Sequence, residues 1–233
     1  MPNSSLSKYN APVHESGRTA FEEANLPKEI YFSEGYFSVD HFISITEQIR
    51  LVSSLKRKNI LEIGIGNGLV SDFLKKAGLN VTTVDINPNL NPDIVGSVTD
   101  LAEILHQRKF DIVLCAEVLE HMPFSNFEKA IRNIAALTNE YAILTLPRCQ
   151  KIIFDMQFNI KLPKLPYLEK GLFLSLPQCN VATEHHWELD SNKITKVKNI
   201  KKILSKYFII LNYKRIRFRP YHYYFVLKKN MKI

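Results

Sequence analysis

The chain has no run approaching the roughly 20 consecutive apolar residues that a membrane-crossing helix requires, so no membrane span is expected. Its opening residues, "MPNSSLSKYNAPVHESG", lack the apolar stretch of a secretory leader. Cysteine is scarce. Cys115, Cys149 and Cys179 are odd in number and have no metal-ligand spacing, so they read as free thiols in a reducing compartment. Together these absences predict a cytoplasmic protein. Acidic residues also run out: none follows Asp190, whereas lysine and arginine recur to the end of the chain. A basic stripe of this kind suits a solvated surface, or an anionic partner such as nucleic acid or a phosphorylated substrate.

What is present is an alternation. "NILEI" and "NVTTVD" read as strands, "PDIVGS" as a short third strand, and "FDIVLCA" and "YAILTLP" as two more. Helical patterns separate them: "LVSDFLKKAG", stopped by Gly78, then "TDLAEILHQ" and "FSNFEKAIRNIAALT". A further helix begins near Val39, with Phe42, Ile45, Ile49 and Val52 at helical spacing. Strands alternating with helices predict an α/β fold, doubly wound on a mostly parallel sheet. After a helix near 192–205, "YFIILNY" and "YHYYFVL" are expected to pair as an antiparallel C-terminal hairpin, with Pro220 in the turn.

Two segments depart from the alternation. Residues 1–30 are polar and aperiodic and read as a flexible arm or lid, leaving 31–233 as the folded domain. Residues 147–186 carry several prolines and scattered aromatics, too long and too apolar for a plain loop. They are expected to form an inserted cap on the substrate side, where Phe154, Phe158, Tyr167 and Phe173, with Trp187 beyond, offer stacking surfaces for an acceptor or simply core.

The chemistry concentrates in "NILEIGIGNG". Gly64, Gly66 and Gly68 follow a strand and precede a helix, so a ligand can approach the bare backbone. Asp85 ends the next strand 21 residues after Gly64, near the spacing of a carboxylate that binds ribose hydroxyls. The glycine pattern is GxGxG rather than GxGxxG, and Glu62 stands where an anionic pyrophosphate would be repelled. A ligand carrying an ammonium and a sulfonium suits that carboxylate better than a dinucleotide.

A second group follows the fourth strand. "AEVLEHMP" brings Glu117, Glu120 and His121 to the sheet's carboxyl edge, and "TEHHWELD" adds Glu184, His185, His186 and Glu188. A group transfer at this edge requires alignment of the nucleophile and, for a hydroxyl, a base. Histidine fits that task near neutral pH. His121 is the first candidate base, with His185 and His186 next.

"LEIGIGNG", "VTTVDINP" and "FDIVLCAEVLEHMP", in this order and spacing, resemble the class I S-adenosylmethionine-dependent methyltransferases, in particular the type 11 or methyltransferase-domain group. The resemblance covers about residues 55 to 147. It implies a seven-stranded sheet whose last strand is antiparallel. It further implies that Gly64, Gly66 and Gly68 line the methionine part of S-adenosylmethionine, with Glu62 supporting the loop and its ammonium. Asp85 would bind the ribose and Ile86 pack on the adenine. Many relatives have an acidic residue after the glycine of the third strand. Here Ser97 takes that place, with Asp100 as a substitute that could reach in. Glu117 completes the expected cofactor-facing set.

The implied function is methyl transfer to oxygen or nitrogen of a small molecule or glycan. One alternative is a metal-dependent RNA 2′-O-methyltransferase. The small-RNA 3′-end enzymes of the Hen family carry a similar "EVxEH" segment and a later histidine, and some quinone-ring O-methyltransferases carry the first segment. Glu117, Glu120, His121 and His185 would then hold a divalent metal, a reading not favoured here. A second alternative is a non-catalytic protein that uses the fold for cofactor or partner binding. The sequence leaves the oligomeric state open.

Overall fold

The structure is a computed structural model that describes residues 17–106, 108–161, 163, 168–177, 180–216 and 219–230. The first half of the expected arm, Tyr167 of the cap and Cys179 lie outside the described residues.

Five strands form the parallel part of the main sheet: β1 (Asn59–Ile63), β2 (Asn80–Asp85), β3 (Ile94–Val95), β4 (Phe110–Ala116) and β5 (Thr138–Pro147). Helices α2 (Val39–Ser54), α3 (Leu69–Lys76), α4 (Leu101–Ile104) and α5 (Phe127–Leu137) lie between or before them, and α1 (Ala20–Ala24) precedes all of these. After two further strands, α6 (Val197–Leu204) leads into the final pair, called β8 (Phe208–Ile216) and β9 (Arg219–Lys229). The sheet order is β3-β2-β1-β4-β5-β9-β8, with β9 antiparallel to both β5 and β8. The seven-stranded, doubly wound sheet with its antiparallel end is therefore as expected.

Alternation along each strand divides the core into two layers. Ile60, Ile112, Leu114, Ile143 and Val226 meet Ile45, Leu51 and Val52 of α2 and Val70 and Leu74 of α3. Leu61, Ile63, Val113, Leu144 and Phe225 meet Leu101 of α4, Ile131 and Ile134 of α5 and Ile200 and Leu204 of α6. A parallel sheet covered on both faces turns the carboxyl ends of β1, β2 and β4 to one edge. The glycine loop, Asp85 and Glu117–His121 follow those ends.

Several details depart from the sequence reading. α4 is a single turn, ended near His106 at φ +45°, in the left-handed region. Pro220 is the second residue of β9 rather than part of the turn, next to a register shift at Arg215/Ile216, a position that tolerates its missing N–H. Phe42 of α2 is exposed and stacks on Phe37 instead of entering the core. Residues 17–38 are not featureless. Thr19 and Glu22 form a capping box at the start of α1, and a 3-10 turn covers Lys28–Phe32.

The insertion after β5 is an antiparallel ribbon, β6 (Gln150–Ile160) with β7 (Leu168–Pro177), forming a sheet of its own. Trp187 does not face an acceptor. It is 1% exposed, its Nε1–H donates to the Met122 carbonyl at 3.1 Å, and Phe124 and Phe127 meet it edge-on. An indole is buried only where its N–H finds a partner, and Met122 supplies one.

Trp187→Ala should therefore cost about 3–5 kcal/mol in urea unfolding, the scale of a large aromatic deleted from a core. The exposed Phe154→Ser should stay within about 0.5 kcal/mol of wild type.

Candidate active site

Local geometry explains the glycines. Gly64, Gly66 and Gly68 have φ of +80°, +52° and +78°, all in the left-handed region that disfavours a side chain. At Gly64 a β-carbon would also lie 2.2 Å from Val118 Cγ2, so alanine is excluded by space as well as by backbone. Gly68 caps α3. Asp85 holds the loop in place. Its Oδ2 accepts from the Ile65 N–H at 2.9 Å and its Oδ1 from the Asn87 N–H at 2.8 Å. Burial raises its pKa, opposed by these backbone bonds. A carboxylate has about four lone-pair sites, so acceptor capacity remains. Ile86 beside it is half-buried.

Glu62 is 3% exposed, and its Oε2 has no hydrogen-bond partner. Burial pushes its pKa up to about 8, against the opposing pull of a Ser71 hydrogen bond and the Lys75 charge. On the third strand side, Ser97 Oγ lies 2.9 Å from Thr99 Oγ1. Asp100 does not reach in: its carboxylate accepts from exposed Lys129 at 2.9 Å.

The structure divides the acidic and histidine residues into two groups. Glu117 goes one way. Its Oε1 accepts from the Ser44 hydroxyl at 2.6 Å, and its Oε2 lies 3.7 Å from His222 Nε2. Its φ is +56°, which for a residue with a long side chain signals stored strain. Glu120, His121 and His185 go the other way, each offering a ligand atom within 4.8 Å of the others. The His121 and His185 rings meet edge-on at 4.9 Å. Glu120 is fully buried without a partner for either carboxylate oxygen, and burial raises its pKa to about 8 against the pull of His121.

Each histidine has a distinct anchor. His121 Nδ1 pairs with Glu23 Oε1 at 3.1 Å, and His185 Nδ1 with Glu188 Oε1 at 3.0 Å. Burial works against the Glu23 carboxylate, but its bond to and charge pairing with His121, with Arg18 beside it, hold its pKa below the ordinary range. His186 is directed elsewhere. Its Nε2–H donates to the Arg18 carbonyl at 2.9 Å, and its backbone N–H to the Glu120 carbonyl at 2.8 Å.

Sequence reasoning missed the residues that the N-terminal segment contributes. The Asn87 side chain donates to the Leu26 carbonyl at 2.8 Å. Tyr31 approaches Gly66, and burial and the Asp85 charge push its pKa up to about 12. Tyr36, between Tyr31 and His41, is also raised by burial, with Tyr31 and Glu117 adding to it. Glu23, Tyr31, Tyr36 and Ser44 lie in stretches without a motif, and His222 lies on the far strand β9, so no spacing signal linked them to the loop.

The raised pKa of Glu62 has a measurable consequence. The folded protein binds this proton more tightly than the unfolded chain, so Glu62 favours folding fully below about pH 4.5. That contribution is lost as pH rises to about 8. The urea midpoint of wild type should fall across that window relative to Glu62→Gln.

A family model described as a methyltransferase domain matches residues 42–193, more than half of the chain. The ubiquinone biosynthesis O-methyltransferase of Hydrogenovibrio crunogenus is 35% identical over 92 residues, 33% of this chain and 37% of that protein. Its Coxiella burnetii counterpart is 37% identical over 97 residues, 36% of this chain and 40% of that protein. The chain thus spans about two fifths of the length of the curated relatives it matches. Among solved structures, magnesium protoporphyrin IX methyltransferase from Synechocystis with bound S-adenosylmethionine aligns with TM-score 0.54 at 17% identity. That alignment covers 82% of this chain and 81% of that one. The N-methyltransferase NodS from Bradyrhizobium japonicum, in complex with S-adenosyl-L-homocysteine, aligns with TM-score 0.57 at 14% identity, covering 90% and 96%. At these identities the likeness is one of fold. The fold, the glycine loop with its carboxylate at the end of β2, and the match over residues 42–193 agree: this chain belongs to the methyltransferase-domain family of class I methyltransferases.

Proposed function

We propose that this chain transfers the methyl group of S-adenosylmethionine to an oxygen of a small-molecule acceptor. The observation that carries the reading is the glycine loop held between two buried carboxylates, Glu62 and Asp85. The donor set fits the cofactor. Glu62 has a buried, unpartnered oxygen for a cationic group, and Asp85 has acceptor capacity for hydroxyls. Gly64, Gly66 and Gly68 give it close backbone approach, with Ile86 and Ser97 on the adenine side and Glu117 at the end of β4. The relatives' names point to O-methylation and to an acceptor of the ubiquinone-precursor kind.

When bound, S-adenosylmethionine supplies a methyl group already activated by the sulfonium charge. The residues then have to orient the acceptor and take its proton. His121 is the base in this reading. Its Nδ1–H donates to Glu23, which leaves Nε2 to accept a hydroxyl proton. His185, held the same way by Glu188, stands beside it as the second candidate. His186, engaged with Arg18, positions the N-terminal segment instead. Residues 17–38 act as the lid, through Leu26, Tyr31 and Tyr36, and the β6–β7 ribbon is the substrate-side insertion.

A second reading is favoured by one observation, the cluster of Glu120, His121 and His185 with both Glu120 oxygens unpartnered. It is methyl transfer aided by a divalent metal on those three side chains, with Glu117 outside the set.

Calorimetric titration with S-adenosyl-L-homocysteine should show binding that Asp85→Ala weakens by about 1–3 kcal/mol, the scale of a lost hydrogen bond to a charged group. Folded protein that binds none would overturn the proposal. His121→Ala should lower the methylation rate of a phenolic acceptor by about 10²–10⁴ while leaving that binding unchanged. If chelator abolishes activity and a divalent metal restores it, the metal-aided reading replaces direct base catalysis.

A further inference from the structure

The β6–β7 ribbon has two unlike faces. The register pairs Phe154 with Leu174 and Met156 with Leu172 on one face, and Asp155 with Phe173 and Gln157 with Gly171 on the other. The second face is docked. Arg215 of β8 pairs with Asp155 at 3.3 Å, and its guanidinium lies 3.9 Å from the centroid of the Phe173 ring. The first face stands in solvent: Phe154, Met156, Phe158, Ile160, Leu172 and Leu174 are 37% to 56% exposed. Isolated exposed apolar residues are ordinary, but six on one face of a two-stranded ribbon form a contiguous patch of the kind that marks an interaction surface.

Charge indicates what covers it. Lys151 and Lys161, both exposed, bracket the apolar run of β6. Asp155 and Glu169 are the acidic residues between Pro147 and Pro177, against Arg148, Lys151, Lys161, Lys164 and Lys170, and Arg215 already engages Asp155. The apolar face is therefore flanked by positive charge, in a chain of formal net charge +8. A second copy of this chain is a poor occupant, because a twofold contact sets a patch against itself and would gather both copies' lysines around one seam. A bilayer with anionic headgroups complements both parts, taking the apolar side chains into its acyl boundary and the lysines at its surface.

We propose that the β6–β7 ribbon seats this protein on the surface of an anionic lipid bilayer, as a peripheral anchor that does not cross it. No helix among the described residues is long and apolar enough to span a membrane, so the association would be interfacial. The inference stands on the ribbon alone and does not depend on the methyl-transfer reading.

Flotation of the full chain with phosphatidylglycerol-containing vesicles, and with phosphatidylcholine vesicles as the neutral control, tests it. The protein should float with the anionic vesicles and weakly or not at all with the neutral ones. Phe154→Ser with Leu174→Ser should lower the bound fraction by about tenfold or more, and Lys151→Glu with Lys161→Glu should weaken binding in the same direction. Both pairs lie at exposed positions, and binding of S-adenosyl-L-homocysteine reports separately whether the variants are folded. Wild type that stays unbound with anionic vesicles overturns the proposal, as does serine-variant binding equal to wild type. A dimer in sedimentation velocity without vesicles, dissociated by the serine pair, overturns it in favour of a second copy.

Discussion

The site depends on two hydrogen bonds accepted by one carboxylate. Asp85 takes the Ile65 N–H with one oxygen and the Asn87 N–H with the other, so the loop after β1 is tied to the end of β2. Without that tie, three glycines at positive φ would have little to restrict them, since glycine loses more conformational freedom on ordering than any other residue. The tie extends outward. Asn87 passes its side-chain N–H to the Leu26 carbonyl, and Tyr31 closes on Gly66 and Asp85. The N-terminal segment is thus registered against the loop through the short stretch 85–87 at the end of β2.

The fold imposes its own costs at this edge. The parallel strands place Glu62 in β1, and Glu117 and Glu120 just after β4, at the same sheet edge. Burial there opposes ionisation, which is why Glu62 and Glu120 hold protons well above the ordinary carboxylate range. Glu117 instead accepts the Ser44 hydroxyl and faces His222, with its backbone in the left-handed region. Buried carboxylates and a strained backbone at one edge are features that stability alone would remove, and they concentrate where chemistry is done.

The segment after β5 resolves into parts with opposite roles. Trp187 pins "EHHWELD" into the core through Met122, Phe124 and Phe127, which sets His185 beside His121. The ribbon before it is held by one face through Arg215 and leaves the other uncovered. An alternation of apolar and polar residues, Phe154-Asp155-Met156-Gln157-Phe158, marks a two-faced strand. It does not reveal which face is buried, and here the polar face is the docked one.

The sequence by itself determined the alternating, doubly wound class with its mostly parallel sheet and the place of the glycine loop and Asp85. Those follow from local signals: period-two and helical apolar patterns, and glycines at a strand-to-helix turn. It also marked His121 and His185 as chemically apt. Only the tertiary structure decided that Glu117 turns to Ser44 and His222, that Glu120 joins the two histidines, that His186 serves Arg18, and that Trp187 is core. It alone brought Glu23, Tyr31 and Tyr36 to the site. The physical reason is distance along the chain. Glu23 and His121 are 98 residues apart and His186 and Arg18 are 168 apart, and such contacts exist only after the sheet has folded and its burial has chosen which polar atoms must find partners.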